Sequence, residues 1–311
     1  MNNLRIVFMG TPDFATASLQ ALVENNYNVV GVITVPDKPA GRGQRLRSSS
    51  VKKYAVTQNI PVLQPTNLKD EFFLAELKTL ETDLQVVVAF RMLPQVVWNM
   101  PKYGTFNLHA SLLPQYRGAA PINWAVMNGD TESGVTTFFI EHQIDTGNII
   151  FQEKTKIEAS DNAGFLHDKL MKIGSQLVCK TIDAIADGTA PNIQQVGTTT
   201  QAPKIFKDTC KINWKNDIHS IHNHIRGLSP YPTAWTTLSS GEKLKIFKSS
   251  KEESIHEDEI GSISTNEKSY LKVAVQGGFI HLEEIQLAGK KCMGISSFLR
   301  GFQINESLSV K

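Results

Sequence analysis

Apolar residues in the first ninety positions fall in short unbroken runs, not in the strict alternation of a half-exposed sheet. Positions 4–9, 29–34, 60–63 and 84–90 read as strands, the last of a kind buried on both faces. Between them lie stretches with helical spacing: 14–25, where Phe14, Leu19, Leu22 and Val23 can share a side, then 51–58 and 70–79. This alternation predicts an α/β fold, a doubly wound and mostly parallel sheet with helices on both faces. Ligands of such sheets bind beyond the carboxyl ends of the strands, which places Gly10 and the segment after Phe90 near a site.

Further along, 105–107, 135–140 and 148–152 are short β-like runs. A long amphipathic helix is expected over 163–186, with Leu166, Leu170, Ile173, Leu177 and Ile182 as its apolar stripe. Asp187-Gly188-Thr189-Ala190-Pro191 stops it. The polar stretch 192–204 has little periodicity and reads as a linker. After it the texture changes. Runs at 234–238, 243–248, 270–275 and 279–287, separated by glycines and charged turns, accompany one helix over 218–225 and predict a small β-barrel or sandwich. The expected division is a first domain over 1–189, a linker over 190–205 and a second domain over 206–311.

Composition narrows the function classes. The 311 residues are 41 % hydrophobic and 20 % charged, an ordinary globular balance. No run is long and apolar enough for a membrane span, and 6–9 is too short for the core of a signal peptide, so a cytoplasmic location is expected. Cys179, Cys210 and Cys292 are odd in number and far apart, forming neither a disulfide framework nor a metal pair. Net charge is only +2, but it is unevenly placed. Lys38, Arg42, Arg45, Arg47, Lys52 and Lys53 crowd one segment against Asp37 alone, so that segment either meets a polyanion or is a solvated loop.

Only Gly10 stands where a G-x-G-x-x-G fingerprint would be needed, which disfavours a nicotinamide or flavin cofactor. There is no G-x-S-x-G elbow, no H-E-x-x-H and no ligand cluster for a metal. His219, His222 and His224 are expected to be surface or RNA-facing residues. The segment with chemical content is 106–118. Asn107 and His109, two apart on an extended strand, share a face. An amide donor beside an imidazole suits a carbonyl whose oxygen becomes negative as an amine attacks. Asp145 could stabilise a protonated His109. By spacing alone, a satisfied core or surface histidine and a simple turn at Asp145-Thr146-Gly147 explain these residues better than catalysis does.

The run Asn107-Leu108-His109-Ala110-Ser111-Leu112-Leu113-Pro114-Gln115-Tyr116-Arg117-Gly118, followed by Ala119-Ala120-Pro121-Ile122, resembles the signature of folate-dependent formyltransferases. Three other segments are similar to the branch of that family acting on charged initiator tRNA. They are Phe8-Met9-Gly10-Thr11-Pro12-Asp13-Phe14-Ala15, Pro36-Asp37-Lys38-Pro39-Ala40-Gly41-Arg42-Gly43 and Ile225-Arg226-Gly227-Leu228-Ser229-Pro230-Tyr231-Pro232-Thr233-Ala234-Trp235. The resemblance spans nearly the whole chain. It implies a Rossmann-like formyltransferase domain, an OB-like tRNA-binding barrel, and transfer of a formyl group from 10-formyltetrahydrofolate to methionine on initiator tRNA.

It further implies a catalytic set of Asn107, His109 and Asp145, and no metal. Folate would be lined by Phe90, Arg91, Met92, Leu93 and Pro94 together with Ser111, Leu112, Leu113 and Pro114. The tRNA would meet Lys38, Arg42, Arg45 and Arg47, with Arg42 near the acceptor end. A monomer with no membrane partner is expected. The chain departs from the family at Ala89-Phe90-Arg91-Met92-Leu93-Pro94, one residue short and with Arg91 where a glycine is usual. Other amines as acceptor, such as a nucleotide-linked amino sugar, hydrolysis of the formyl folate, and non-catalytic RNA binding are the rival readings.

Overall fold

The computed structural model describes residues 4–40, 44–302 and 309–310. Two compact units interleave along the chain. Met1–Gly118, Ser133–Thr155 and His167–Gln201 form one; Ala119–Glu132, Lys156–Leu166 and Ala202–Lys311 form the other.

The first unit opens with β1 (Ile6–Gly10), α1 (Asp13–Glu24) and β2 (Val29–Ile33). A short antiparallel pair follows, β3 (Lys38–Ala40) with β4 (Arg45–Arg47), then α2 (Ser50–Thr57) and β5 (Val62–Leu63). Next come α3 (Glu71–Thr79), β6 (Leu84–Val88), α4 (Gln95–Trp98), β7 (Thr105–His109) and the two-residue β8 (Arg117–Gly118). After α5 (Pro121–Met127), which belongs to the second unit, β9 (Glu132–Phe139), β10 (Ile149–Lys156) and α6 (Ala163–Ala186) complete it. The seven-stranded sheet has the order β10-β9-β7-β6-β1-β2-β5. Its five strands from β7 to β5 are parallel, and β9 joins β7 antiparallel.

The continuous apolar runs are explained by cover on both faces. Val7, Met9, Ile33 and Val87 pack with Phe73 and Leu77 of α3 and Val97 of α4. On the opposite face, Leu108 of β7 sits so close to α6 that a methyl at Gly174 would stand 2.8 Å from its side chain. Thr137 and Thr181 share a buried hydrogen bond of 2.9 Å between β9 and α6. Burial of each large strand side chain is worth about 1.5–3 kcal/mol. Caps add about 1 kcal/mol apiece: the backbone N–H of Phe73 donates to Asp70, and that of Lys52 to Ser49.

The strand expected over 84–90 stops at Val88, because Ala89 turns left-handed with φ +46° and cannot continue a ladder. The helix expected over 163–186 has those bounds; Leu166, Leu170, Leu177 and Ile182 are buried, while Ile173 is only half-buried.

In the second unit, β11 (Gln201–Ala202) and a 3₁₀ turn (Asp208–Cys210) lead to α7 (Ile218–Gly227). The strands β12 (Ala234–Thr237), β13 (Lys243–Glu253), β14 (Ile263–Thr265), β15 (Leu271–Val275), β16 (Gly278–Leu287) and β17 (Met293–Gly294) follow, then α8 (Ile295–Leu299). The sheet order β12-β13-β16-β15-β14 leaves β12 and β14 as edges, with β17 on β16. Ser309–Val310 covers both edges. Ser239 N donates to Ser309 O at 2.7 Å and Val310 N to Gly261 O at 2.9 Å, closing the sheet into a barrel. Ile218, Ile221 and Ile225 of α7 plug its core. At Gly227, α7 meets α5 so closely that a Cβ would lie 2.8 Å from the backbone nitrogen of Met127. No helix among the described residues is long and apolar enough to cross a membrane.

Candidate active site

β7 is central, hydrogen-bonded to β6 and β9, and its last three residues, Asn107, Leu108 and His109, stand at its carboxyl end. Asn107 is aligned with Val87 on one side and Phe138 on the other; His109 is aligned with Thr136. Leu108, pointing the other way, is held by α6, so the pleat fixes Asn107 and His109 on the opposite face. The Asn107 amide is half-buried and engaged by no other group among the described residues.

His109 is only 6 % exposed. Its Nε2 lies 2.8 Å from the carbonyl oxygen of Tyr116. A carbonyl can only accept, so Nε2 carries a proton, and in the neutral form of the ring the lone pair is then on Nδ1. Nδ1 faces the Asp145 carboxylate, with Oδ2 at 3.8 Å. The same oxygen accepts from Gly118 N at 2.9 Å. The Phe138 ring stands at 80° to the imidazole, with centroids 6.5 Å apart.

The Asp145 turn is tightly constrained. Asp145 itself has φ +55°, a left-handed conformation that aspartate tolerates better than most residues. A Cβ at Gly147 would fall 1.7 Å from the carbonyl oxygen of Phe139, so no side chain fits there. From the stretch expected to be a linker, Gln195 Nε2 donates to the carbonyls of Asp145 at 2.9 Å and Gly147 at 2.8 Å. Nothing in local sequence pattern marks Gln195, Thr136 or the Tyr116 carbonyl; the only available signal is the recurrence of amide side chains in a stretch without periodicity.

The two segments expected to line folate differ in what they present. After β6, Met92 is 76 % exposed and Phe90 half-buried, whereas Leu93 is 8 % exposed and packs in the core with Val97 and Leu77. Pro94 stands at the N-cap of α4. Arg91 lies back against the chain after β5: its guanidinium donates to the carbonyls of Thr66, at 2.9 Å, and Pro65, and stands over the Phe90 ring. Burial pushes its pKa down from the usual guanidinium value.

After β7, Ser111 and Leu113 are buried, Leu112 and Pro114 half-buried. Thr136 ties this segment to β9, its hydroxyl donating to Ser111 O at 2.6 Å and accepting from Leu113 N at 3.1 Å. Among the described residues no group of three or more His, Cys, Asp or Glu side chains could hold a metal.

The basic segment resolves into parts. Arg42 lies outside the described residues. In the β3–β4 pair, Lys38 is aligned with Arg47 and Ala40 with Arg45. Lys38 and Arg47 are exposed, as is Leu46 at 71 %. Lys52 belongs elsewhere: it bonds Asp37 and Gln64, both at 2.7 Å, and hydrogen bonds from Lys52 and Gln64 hold the Asp37 carboxyl below the usual carboxylate range.

The histidines of α7 correct the expectation of surface or RNA-facing residues. Only His219 is exposed. His222 follows Ile218 by four residues and so shares its inward side. Its Nδ1 meets Ser249 Oγ at 3.1 Å, and burial pushes its pKa down to about 4. Burial lowers His224 as well.

Comparison with known proteins gives this geometry its context. The family described as formyl transferase matches residues 4–182, and its C-terminal domain matches residues 204–303. A methionyl-tRNA formyltransferase of Parabacteroides distasonis is 58 % identical, covering 97 % of this chain and 96 % of its own. One from Flavobacterium johnsoniae is 51 % identical over the full length of both. Among solved structures, the sugar 3N-formyltransferase WlaRD, crystallised with dTDP and 5-N-formyl-THF, superposes with a TM-score of 0.64. It is 23 % identical, over 94 % of this chain and all of that one. HypX from Aquifex aeolicus, in complex with tetrahydrofolic acid, also gives 0.64, at 15 % identity over 97 % of this chain and 49 % of its own. At such identities these structures speak for the fold alone. The sequence relatives and both domain matches together decide the family: the chain belongs to the formyl transferases, in the methionyl-tRNA formyltransferase branch.

Proposed function

We propose that the chain transfers the formyl group of 10-formyltetrahydrofolate to the α-amino group of methionine on initiator tRNA, in the cytoplasm. The observation that carries the chemistry is the imidazole of His109, held by the Tyr116 carbonyl with Nδ1 facing Asp145 at 3.8 Å, beside the unengaged amide of Asn107. The neutral amine nitrogen attacks the formyl carbon and forms a C–N bond. Asn107 donates to the oxygen as it becomes negative, an interaction worth about 3 kcal/mol in a preorganised site. His109 takes up the proton lost by the amine, and Asp145 stabilises the imidazolium. The bond from carbon to N10 then breaks, its electron pair staying on nitrogen, and the proton passes to that nitrogen.

The segments 89–94 and 111–114 flank this end of the sheet. Phe90 and Met92, rather than the core-packed Leu93, are the apolar groups that suit a pterin ring. Lys38, Arg45 and Arg47, with Arg42 beside them in sequence, suit the phosphates of an RNA acceptor. The barrel of the second unit, with its closed five-strand path, is the fold used widely for oligonucleotides.

The test is His109→Ala. Formyl transfer should fall by about 10²–10⁴-fold, the usual contribution of acid–base catalysis, while the affinity for charged tRNA stays unchanged. Transfer at nearly the wild-type rate would remove His109 from the reaction.

A further inference from the structure

The stretch 193–200, polar and without periodicity, is strapped across the two loops that form the candidate site. Ile193 exchanges backbone hydrogen bonds with Ile149, at 2.7 and 2.9 Å. Thr200 then receives the 115–117 loop, its carbonyl accepting from Arg117 N at 3.0 Å and its hydroxyl from Tyr116 N at 2.8 Å. Gln115 Nε2 donates to Thr198 O at 2.7 Å. Midway, Gln195 joins the second loop to the first. Its Nε2 donates to the carbonyls of Asp145 and Gly147, and its Oε1 accepts from Arg117 Nη2 at 2.7 Å and Nε at 3.2 Å.

These loops hold both partners of the imidazole. The Tyr116 carbonyl, one residue before Arg117, accepts from Nε2; the Asp145 carboxylate faces Nδ1. Asp145 sits in a left-handed turn that is also restrained by the close approach of Gly147 to Phe139 and by the bond from Gly118 N to its carboxylate. A turn of this kind persists only when its surroundings over-determine it. We infer that Gln195 is a positioning residue: its amide locks the Asp145 turn and the Arg117 loop together, fixing the carboxylate against His109. Only a primary amide fits this place, since one end must donate twice and the other must accept. Glutamate could keep the Arg117 contact but would set an oxygen against two carbonyls. Methionine would keep the volume and make none of these hydrogen bonds.

The inference rests on the proposed formyl transfer, and the experiment separates the two. Steady-state transfer to charged initiator tRNA is measured for the wild type, Gln195→Met, Gln195→Glu and Asp145→Asn, with kcat, both KM values, the pH profile of kcat and Tm. Gln195→Met and Gln195→Glu should each lose about 10–100-fold in kcat, the scale of a small misplacement near the reacting centre. Both KM values should stay within about twofold, since ground-state binding is not disturbed. The pH profiles should change shape as in Asp145→Asn. Full kcat in Gln195→Glu would mean that only the Arg117 contact matters and would overturn the inference. So would a fall in Tm with kcat per folded molecule and pH profile unchanged, which is the behaviour of a merely structural strap. A wild type without transfer overturns the functional reading and this inference with it. An active wild type beside a fully active Gln195→Met overturns this inference alone.

Discussion

One oxygen of Asp145 has two neighbours that define its use. It accepts from Gly118 N at 2.9 Å and stands 3.8 Å from His109 Nδ1, so the backbone bond holds the carboxylate where an imidazolium would form. The shared face of Asn107 and His109 is legible in the sequence, because a period of two on a strand puts both on one side. The tautomer is not, since it is set by the Tyr116 carbonyl seven residues later, in a left-handed residue that no pattern announces.

Ala89 belongs to the same scale. It holds φ +46° in an exposed position, where an L-residue pays about 1–2 kcal/mol and glycine nothing. Against that gain, glycine costs about 0.4–1 kcal/mol through the greater entropy of its unfolded chain. Ala89→Gly should therefore stabilise the protein by roughly 0.5–1 kcal/mol, read as a higher urea midpoint with unchanged slope. A lower midpoint would show that the left-handed turn is not strained.

Among the elements, the buried strands and long helices are legible because continuous apolar runs and helical periodicity are local properties. Others are hidden for physical reasons. The β3–β4 pair looks like a loop, its three-residue strands carrying proline and charge in place of apolar alternation. α5 is too short to show a period. The closure of the barrel depends on Ser309–Val310, some seventy residues from the β12 edge it covers. Val310 is buried in the barrel core, so Val310→Asp should destabilise the second unit by about 2–4 kcal/mol in urea unfolding followed by fluorescence. An unchanged midpoint would mean that the closing residues contribute nothing to the core.

The α7–β13 contact carries a pH dependence of its own. His222 is neutral in the fold, with its pKa depressed to about 4 by burial and by Arg226, Lys251 and His219, while Glu283 acts in the opposite sense. Unfolded, it takes a proton near 6.5. The unfolded state therefore binds more protons between those values, and stability falls as pH drops from about 6.5 to about 4, with no further loss from this group below. His222→Gln should make the drop in Tm between pH 7.5 and pH 5 smaller; a drop of undiminished size would place the acid sensitivity elsewhere.

At the scale of the molecule, the chain carries a mostly parallel sheet with Asn107 and His109 at its carboxyl end, a closed barrel and a concentrated basic segment. The basic segment is legible in the sequence as a cluster, and the fold refines it: Lys52 is spent on Asp37, whereas Lys38 and Arg47 stand exposed on β3 and β4. Replacing Lys38, Arg45 and Arg47 together by alanine should weaken tRNA binding and lower the slope of log K against log salt by about 2–3, near 0.7–0.9 for each phosphate no longer neutralised. An unchanged slope would remove β3 and β4 from the RNA interface.

The central claim is tested most directly by formyl transfer with the purified wild-type protein. 10-Formyltetrahydrofolate is supplied with methionine-charged initiator tRNA and, in parallel, with a charged elongator tRNA. The account predicts formylmethionine on the initiator and none on the elongator. A folded protein that binds the formyl donor yet transfers to neither tRNA would contradict it, and would leave a formyltransferase whose acceptor is another amine.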